Sequence, residues 1–92
     1  MAPPQSGDDF LEALSQAIDR LRAASFEEDA RNLRDVAFET AWTSSSEMIG
    51  EIGLAILRVQ QRARGKLPKA VARGLGRCMD HVREVWPDIR LR

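Results

Sequence analysis

The side chains most able to do chemistry lie together near the C-terminal end of the chain: Cys78, Asp80, His81 and Glu84. Cys78 and His81 are three residues apart, so on a helix both could bind one metal ion. Zinc would need two further ligands at a compatible spacing, and the sequence has no second cysteine or histidine. We therefore expect a buried thiol beside a half-exposed histidine, with no metal and no cofactor.

Nucleophilic catalysis is not expected either. A cysteine–histidine pair needs a third group that orients it, and a 92-residue chain has little room for a substrate cleft. The glycines at 50, 53, 74 and 76 fall inside helical patterns with no preceding strand, so they are not phosphate-binding loops. We expect them to permit close approach of another helix. The sequence predicts a protein that is not an enzyme.

The elements that position these residues are predicted to be helices. Apolar residues recur with the helical period in every long segment, and no segment alternates like a strand. We predict an all-α fold, a four-helix bundle built of two antiparallel helical hairpins. The predicted helices span about 9–24, 26–41, 45–64 and 68–85.

The inward stripes of these helices form the predicted core. They comprise Phe10, Leu14, Ala17, Ile18 and Leu21; Phe26, Ala30, Leu33 and Ala37; Ile49, Ile52, Ile56, Val59 and Ala63; and Val71, Leu75, Cys78, Val82 and Val85.

Capping motifs predict where the helices begin and end. Ser25-Phe-Glu-Glu28 and Ser44-Ser-Ser-Glu47 both have the spacing of a capping box, with serine at the N-cap and glutamate three residues later. One continuous helix over 9–41 is the less favoured alternative, because serine is a better cap than interior residue. Gly65 is predicted to end helix three, and Pro68 to take the first position of helix four.

The domain organisation is predicted to be simple. Residues 1–7 are expected to be a disordered tail, 8–87 one helical domain and 88–92 a short C-terminal tail. A single cysteine, no signal-peptide pattern and no apolar run of about 20 residues predict a cytoplasmic protein with no membrane segment. Twelve arginines against two lysines, with twelve alanines, suggest a bacterial source.

The charges are sorted along the chain. Residues 1–53 hold eleven carboxylates against four arginines, and residues 54–92 hold ten basic side chains against three carboxylates. The balances are therefore −7 and +7, although the net charge is zero. Such a split favours either a chain folded back on itself or one that offers faces of opposite sign to partners.

The basic half could bind phosphate groups. Arg58 and Arg62 are four residues apart on helix three, and Lys69, Arg73 and Arg77 repeat every four residues on helix four. Basic residues at this spacing more often form a solvent-exposed helix face with no binding role. The alternative is a protein that associates nonspecifically with nucleic acid through these five candidate phosphate contacts.

Helix three has a second apolar face. With Ile52 at 0°, Gly50, Leu54 and Leu57 lie at about 160°, 200° and 140°, and Phe38 is similarly displaced on helix two. Such a face is covered either by its own chain, through Trp42, Trp86 or the tail, or by another chain. Taking these four residues as the candidate partner-binding site, we expect a non-enzymatic protein-interaction module (a regulator, adaptor or inhibitor), one form of which is a homodimer through helix three.

Overall fold

Four amphipathic segments of the sequence form α-helices. The computed structural model describes residues 7–91, and every regular element within them is helical. The elements are α1 (Gly7–Ala23), α2 (Glu27–Arg34), a π-helix (Asp35–Glu39), α3 (Ser45–Arg62) and α4 (Lys69–Val85). The predicted all-α, four-helix fold is confirmed. Residues 1–6 of the predicted tail lie outside the described residues, and Gly7 already belongs to α1.

The helices enclose one apolar core. α1 contacts α2 and α4, and α3 contacts α4, α2 and the π-helix. All but two of the predicted core residues are buried: Phe26 is half-buried, and Val85, at the last turn of α4, is 39% exposed. The prediction for Val85 was wrong: this residue is the last of α4 and is exposed. Met79, which the prediction omitted, is fully buried.

The first link differs from the predicted capping box. Ser25 has a φ of 73°, in the left-handed region, and α2 begins after Phe26 with no side-chain cap. The Phe26 amide donates to the Leu21 carbonyl at 2.9 Å, and the Ser25 amide donates to the Arg22 carbonyl at 3.0 Å. These are the two bonds of a Schellman motif, so Ser25 ends α1 instead of starting α2.

The other two links follow their signals more closely. The Glu47 amide donates to the Ser44 hydroxyl at 3.1 Å, which confirms Ser44 as the N-cap of α3. Gly65 has a φ of 77°, as expected of a glycine just beyond a helix. Pro68 is the N-cap of α4 and lies one position before the predicted one. The bounds of α3 and α4 are otherwise within two residues of prediction.

The second predicted helix does not continue as an α-helix to residue 41. It widens into the π-helix at Asp35 and ends at Glu39. Two side chains bind carbonyl oxygens of this segment: the Thr40 hydroxyl donates to the Asp35 carbonyl at 2.9 Å, and the Trp42 indole N–H donates to the Val36 carbonyl at 2.8 Å. These bonds compensate for the irregular helix end.

The chain beyond α4 folds back onto the bundle. Helix α4 ends at Trp86, before Pro87, as predicted. The Ile89 amide donates to the Trp86 carbonyl at 3.1 Å, which turns the chain, and the Ile89 side chain packs against the core. Ile89, within the predicted short tail, therefore packs against the helical domain. None of the helices within residues 7–91 is long and apolar enough to cross a membrane.

Candidate functional site

The two glycines of α3 mark where the C-terminal segment meets this helix. The Trp86 indole lies over Gly50, where an added Cβ would be 3.0 Å from Nε1, and the same N–H donates to the Ser46 carbonyl at 2.7 Å. At Gly53 an added Cβ would lie 2.5 Å from Val82 Cγ1 and 2.8 Å from Ile89 Cδ1. The expected close neighbours are present, and they belong to the same chain.

A groove runs between α3 and this returning segment. Its volume is about 640 Å³. It is lined by Glu47, Gly50, Glu51 and Leu54 of α3 and by Trp86, Pro87, Asp88, Ile89 and Arg90 of the C-terminal segment. Half-buried Leu54 lies among apolar side chains, while the charged residues of the lining are exposed. An apolar surface with a charged rim is typical of protein-binding sites.

The four candidate partner-binding residues are only partly brought together. Gly50 and Leu54 line the groove. Leu57 is half-buried and packs against the core. Phe38 is 45% exposed on the π-helix and does not line the groove. The second apolar face of α3 is therefore covered in part by its own chain, at Gly50 and Leu57, and remains accessible at Leu54.

The five candidate phosphate contacts fall in different places. Arg62 forms an ion pair with nearly buried Asp29, with Nη1 and Oδ1 3.2 Å apart. Arg58 and Arg62 line a cavity of about 320 Å³ together with Asp29 and Asp35 of the acidic half. The acidic and basic halves of the sequence thus meet across α2 and α3, where Arg62 is paired with a carboxylate of its own chain.

The remaining three basic residues are on α4. Arg73 and Arg77 line a separate hollow of about 290 Å³, together with Arg20 of α1, Ala70 and Gly74. Lys69 is exposed and is not part of this lining. The contribution of Arg20 could not be expected from the basic half alone, because this residue belongs to the acidic half of the sequence.

Cys78 and His81 lie three residues apart on α4, Cys78 buried and His81 half-buried. Cys78 is buried, and this burial raises the pKa of its thiol to about 11. The His81 ring stacks on Phe10, with ring centroids 4.7 Å apart and an interplanar angle of 20°. Among the described residues, no three His, Cys, Asp or Glu side chains are grouped so that they could hold a metal ion. Both side chains contribute to packing between α1 and α4.

The sequence left open whether Trp42, Trp86 or the tail covers the second apolar face of α3, but it did not single out the C-terminal segment as the wall of a groove. Its signal was present: Trp86 and Ile89 are spaced apolar residues in an otherwise polar stretch. The chain matches no protein-family model, no curated protein and no solved structure.

Proposed function

We propose that this chain is a small, non-enzymatic protein-interaction module that pairs with a second copy of itself through the open face of α3. This face is the strip of α3 that points away from Ile52, and all its members are exposed or half-buried. It comprises Glu47, Gly50, Glu51, Leu54, Leu57, Arg58 and Gln61. The proposal depends on Leu54, which is half-buried at the centre of this strip. The other sides of α3 contact α2, the π-helix and α4.

The spacing of the open face suits a second helix. Residues 47, 50, 54, 57 and 61 follow the alternating three- and four-residue steps of a helix–helix seam. Leu54 gives the seam its accessible large apolar position, between Gly50, which lies beneath Trp86, and Leu57, part of which packs on the core. From Glu47 to Gln61 the strip is about 21 Å long, at about 1.5 Å per residue.

The charges of the open face favour an antiparallel partner. Glu47 and Glu51 lie in its N-terminal half, and Arg58 lies in its C-terminal half. An antiparallel pair centred between Leu54 and Ala55 brings Glu51 of one copy opposite Arg58 of the other, twice in the dimer. A parallel pair would instead set like charges against each other. The strip is thus self-complementary in one orientation only.

The dimer we propose is weak and depends on protein concentration. A single helix face of this length buries little surface compared with the roughly 1,200–2,000 Å² of stable interfaces. Its ion pairs are exposed, and such pairs contribute at most about 1 kcal/mol each. The same proposal includes a cytoplasmic location, which the single, unpaired Cys78 supports.

Sedimentation equilibrium of Leu54→Asp tests the apolar part of this interface. We expect the substitution to abolish self-association, because pairing would bury a carboxylate from each copy, and to leave the helical circular dichroism unchanged. Leu57 is kept because part of it packs on the core. Val85→Asp is the matched control, because Val85 is exposed and lies outside the open face. The dimer of this variant should have the same dissociation constant as that of the unmutated protein. An unmutated protein that stays monomeric at its highest soluble concentration would overturn the proposal.

A charge exchange tests the orientation. Glu51→Arg alone and Arg58→Glu alone should each weaken the dimer about tenfold, since either one places like charges opposite each other twice. The double variant Glu51→Arg/Arg58→Glu should regain the original dissociation constant. If the double variant is weaker than both single variants, the antiparallel pairing is wrong.

A further inference from the structure

The hollow between α1 and α4 has the chemistry of an anion site, and it lies apart from the groove on α3. Three arginines line it, Arg20 from α1 and Arg73 and Arg77 from successive turns of α4. We propose that this hollow binds the phosphate group of a small phosphorylated molecule. The inference is independent of the pairing through α3.

The arginines of this hollow differ from the other clustered arginines of the protein. Arg58 and Arg62 share their cavity with two carboxylates, and Arg62 is paired with Asp29. No carboxylate lines the hollow between α1 and α4. Among the side chains that the structure describes, no ion pair is seen for Arg20, Arg73 or Arg77. Three arginines therefore line one small space whose described lining includes no carboxylate.

Gly74, in the wall of the hollow, supports a site at this place. Glycine in the interior of a helix lowers helix stability relative to alanine. Close packing does not require glycine at position 74, because an added Cβ would lie 3.6 Å from Ala17 Cβ, an ordinary van der Waals distance. The absent side chain leaves the space between Arg73 and Arg77 open to a ligand.

The donor chemistry selects phosphate. Guanidinium groups remain charged at all physiological pH values and bind two oxygens of one phosphate in parallel. Three of them around a hollow of about 290 Å³ match a single dianionic group better than an extended polyanion. A long nucleic acid would also approach the acidic residues of the N-terminal half, which would repel it.

Nuclear magnetic resonance titration of the full chain with inorganic phosphate tests the proposal. Ionic strength is held constant with sodium chloride. We expect saturable shifts of the Gly74 amide and of the arginine Nε–H signals in the hollow. Arg73→Gln should weaken phosphate binding at least about tenfold, the loss expected for one charge-assisted hydrogen-bonding group. Arg77→Gln should act similarly, and Arg73→Lys less strongly.

Arg83→Gln is the matched control, since it removes the same charge from an exposed position of α4 outside the hollow. It should change phosphate affinity less than twofold. Shifts that rise linearly, or that chloride reproduces, would overturn the proposal, as would equal losses in the Arg73 and Arg83 variants. A short single-stranded DNA that binds more tightly per phosphate than inorganic phosphate, and that depends equally on Lys69 and Arg83, would also overturn it in favour of a polyanion surface.

Discussion

The glycines of α3 and the glycines of α4 look alike in the sequence but have different surroundings in the structure. Gly50 and Gly53 are covered by Trp86, Val82 and Ile89, at distances that leave little or no room for a Cβ. At Gly74 a Cβ would make only an ordinary contact, and at Gly76 no neighbouring atom of the described residues lies within 4 Å. The expectation that interior glycines permit close approach is therefore right for α3 and wrong for α4.

This difference shows that interior glycines have two separate effects on packing in this fold. On α3 the absent side chains let the C-terminal segment lie against the helix, and this contact builds one wall of the groove. On α4 the glycines leave space unfilled, at Gly74 beside three arginines. A packing glycine and a glycine that keeps a surface open can be separated by a single substitution to alanine at each position.

Gly53→Ala should give the largest effect. The new methyl group would lie 2.5 Å from Val82 Cγ1, on a buried residue with a stiff side chain. Overpacking of this kind costs about 1–3 kcal/mol, or somewhat more, and the gain in helix propensity returns about 1 kcal/mol. We expect a net loss of up to about 2 kcal/mol in the free energy of unfolding, measured by urea denaturation. A variant as stable as the unmutated protein would mean that Gly53 does not determine the packing of α4 on α3.

The buried side of α4 can be probed through Cys78, two residues from Gly76. Its thiol pKa is raised by burial to about 11, so the folded chain holds this proton over a pH range in which the unfolded chain has lost it. The resulting stabilisation is complete below about pH 9 and is lost as the pH rises towards 11. The free energy of unfolding should fall with a slope of less than about 1.4 kcal/mol per pH unit in this range.

Cys78→Ala provides the control for that slope. The variant will be less stable at every pH because it leaves a small cavity, but the component of the pH dependence due to the thiol should be missing. Identical slopes in the two proteins would show that the thiol ionises as readily in the fold as in the unfolded chain, and hence that this side of α4 is open.

A capping motif predicted a helix boundary correctly where only one helix end could use it. Ser44 follows a loop and has no competing role, so the serine–glutamate spacing correctly gave the start of α3. Ser25 has the same spacing but comes directly after α1, and the end of that helix requires a left-handed residue. Ser25 was predicted to start α2, but it ends α1. The spacing of residues in the sequence does not show which of two adjacent helices a residue between them caps.

The candidate site was predictable only in part. The periodicity of α3 singled out Gly50, Leu54 and Leu57, and the structure keeps Leu54 accessible. Periodicity could not place Ile89 or Arg20, because each reaches its cavity from another part of the chain. The position of Phe38 also depended on the π-helix, which shifts the residues after Asp35 away from the α-helical spacing on which the prediction rested.

Gly76→Ala should have the smallest effect and the opposite sign to Gly53→Ala. A methyl group at Gly76 enters open space, so only the intrinsic preference of the helix changes, and the variant should be about 1 kcal/mol more stable. Gly65→Ala separates open space from backbone freedom. Its Cβ would also meet no described atom within 4 Å, but its φ of 77° is unfavourable for alanine, so this variant should lose about 1 kcal/mol. If urea denaturation shows both variants to be stabilised, the left-handed turn at Gly65 is absent in solution. If it shows both to be destabilised, the exposed surface at Gly76 is covered, and the contrast between the two helices does not hold.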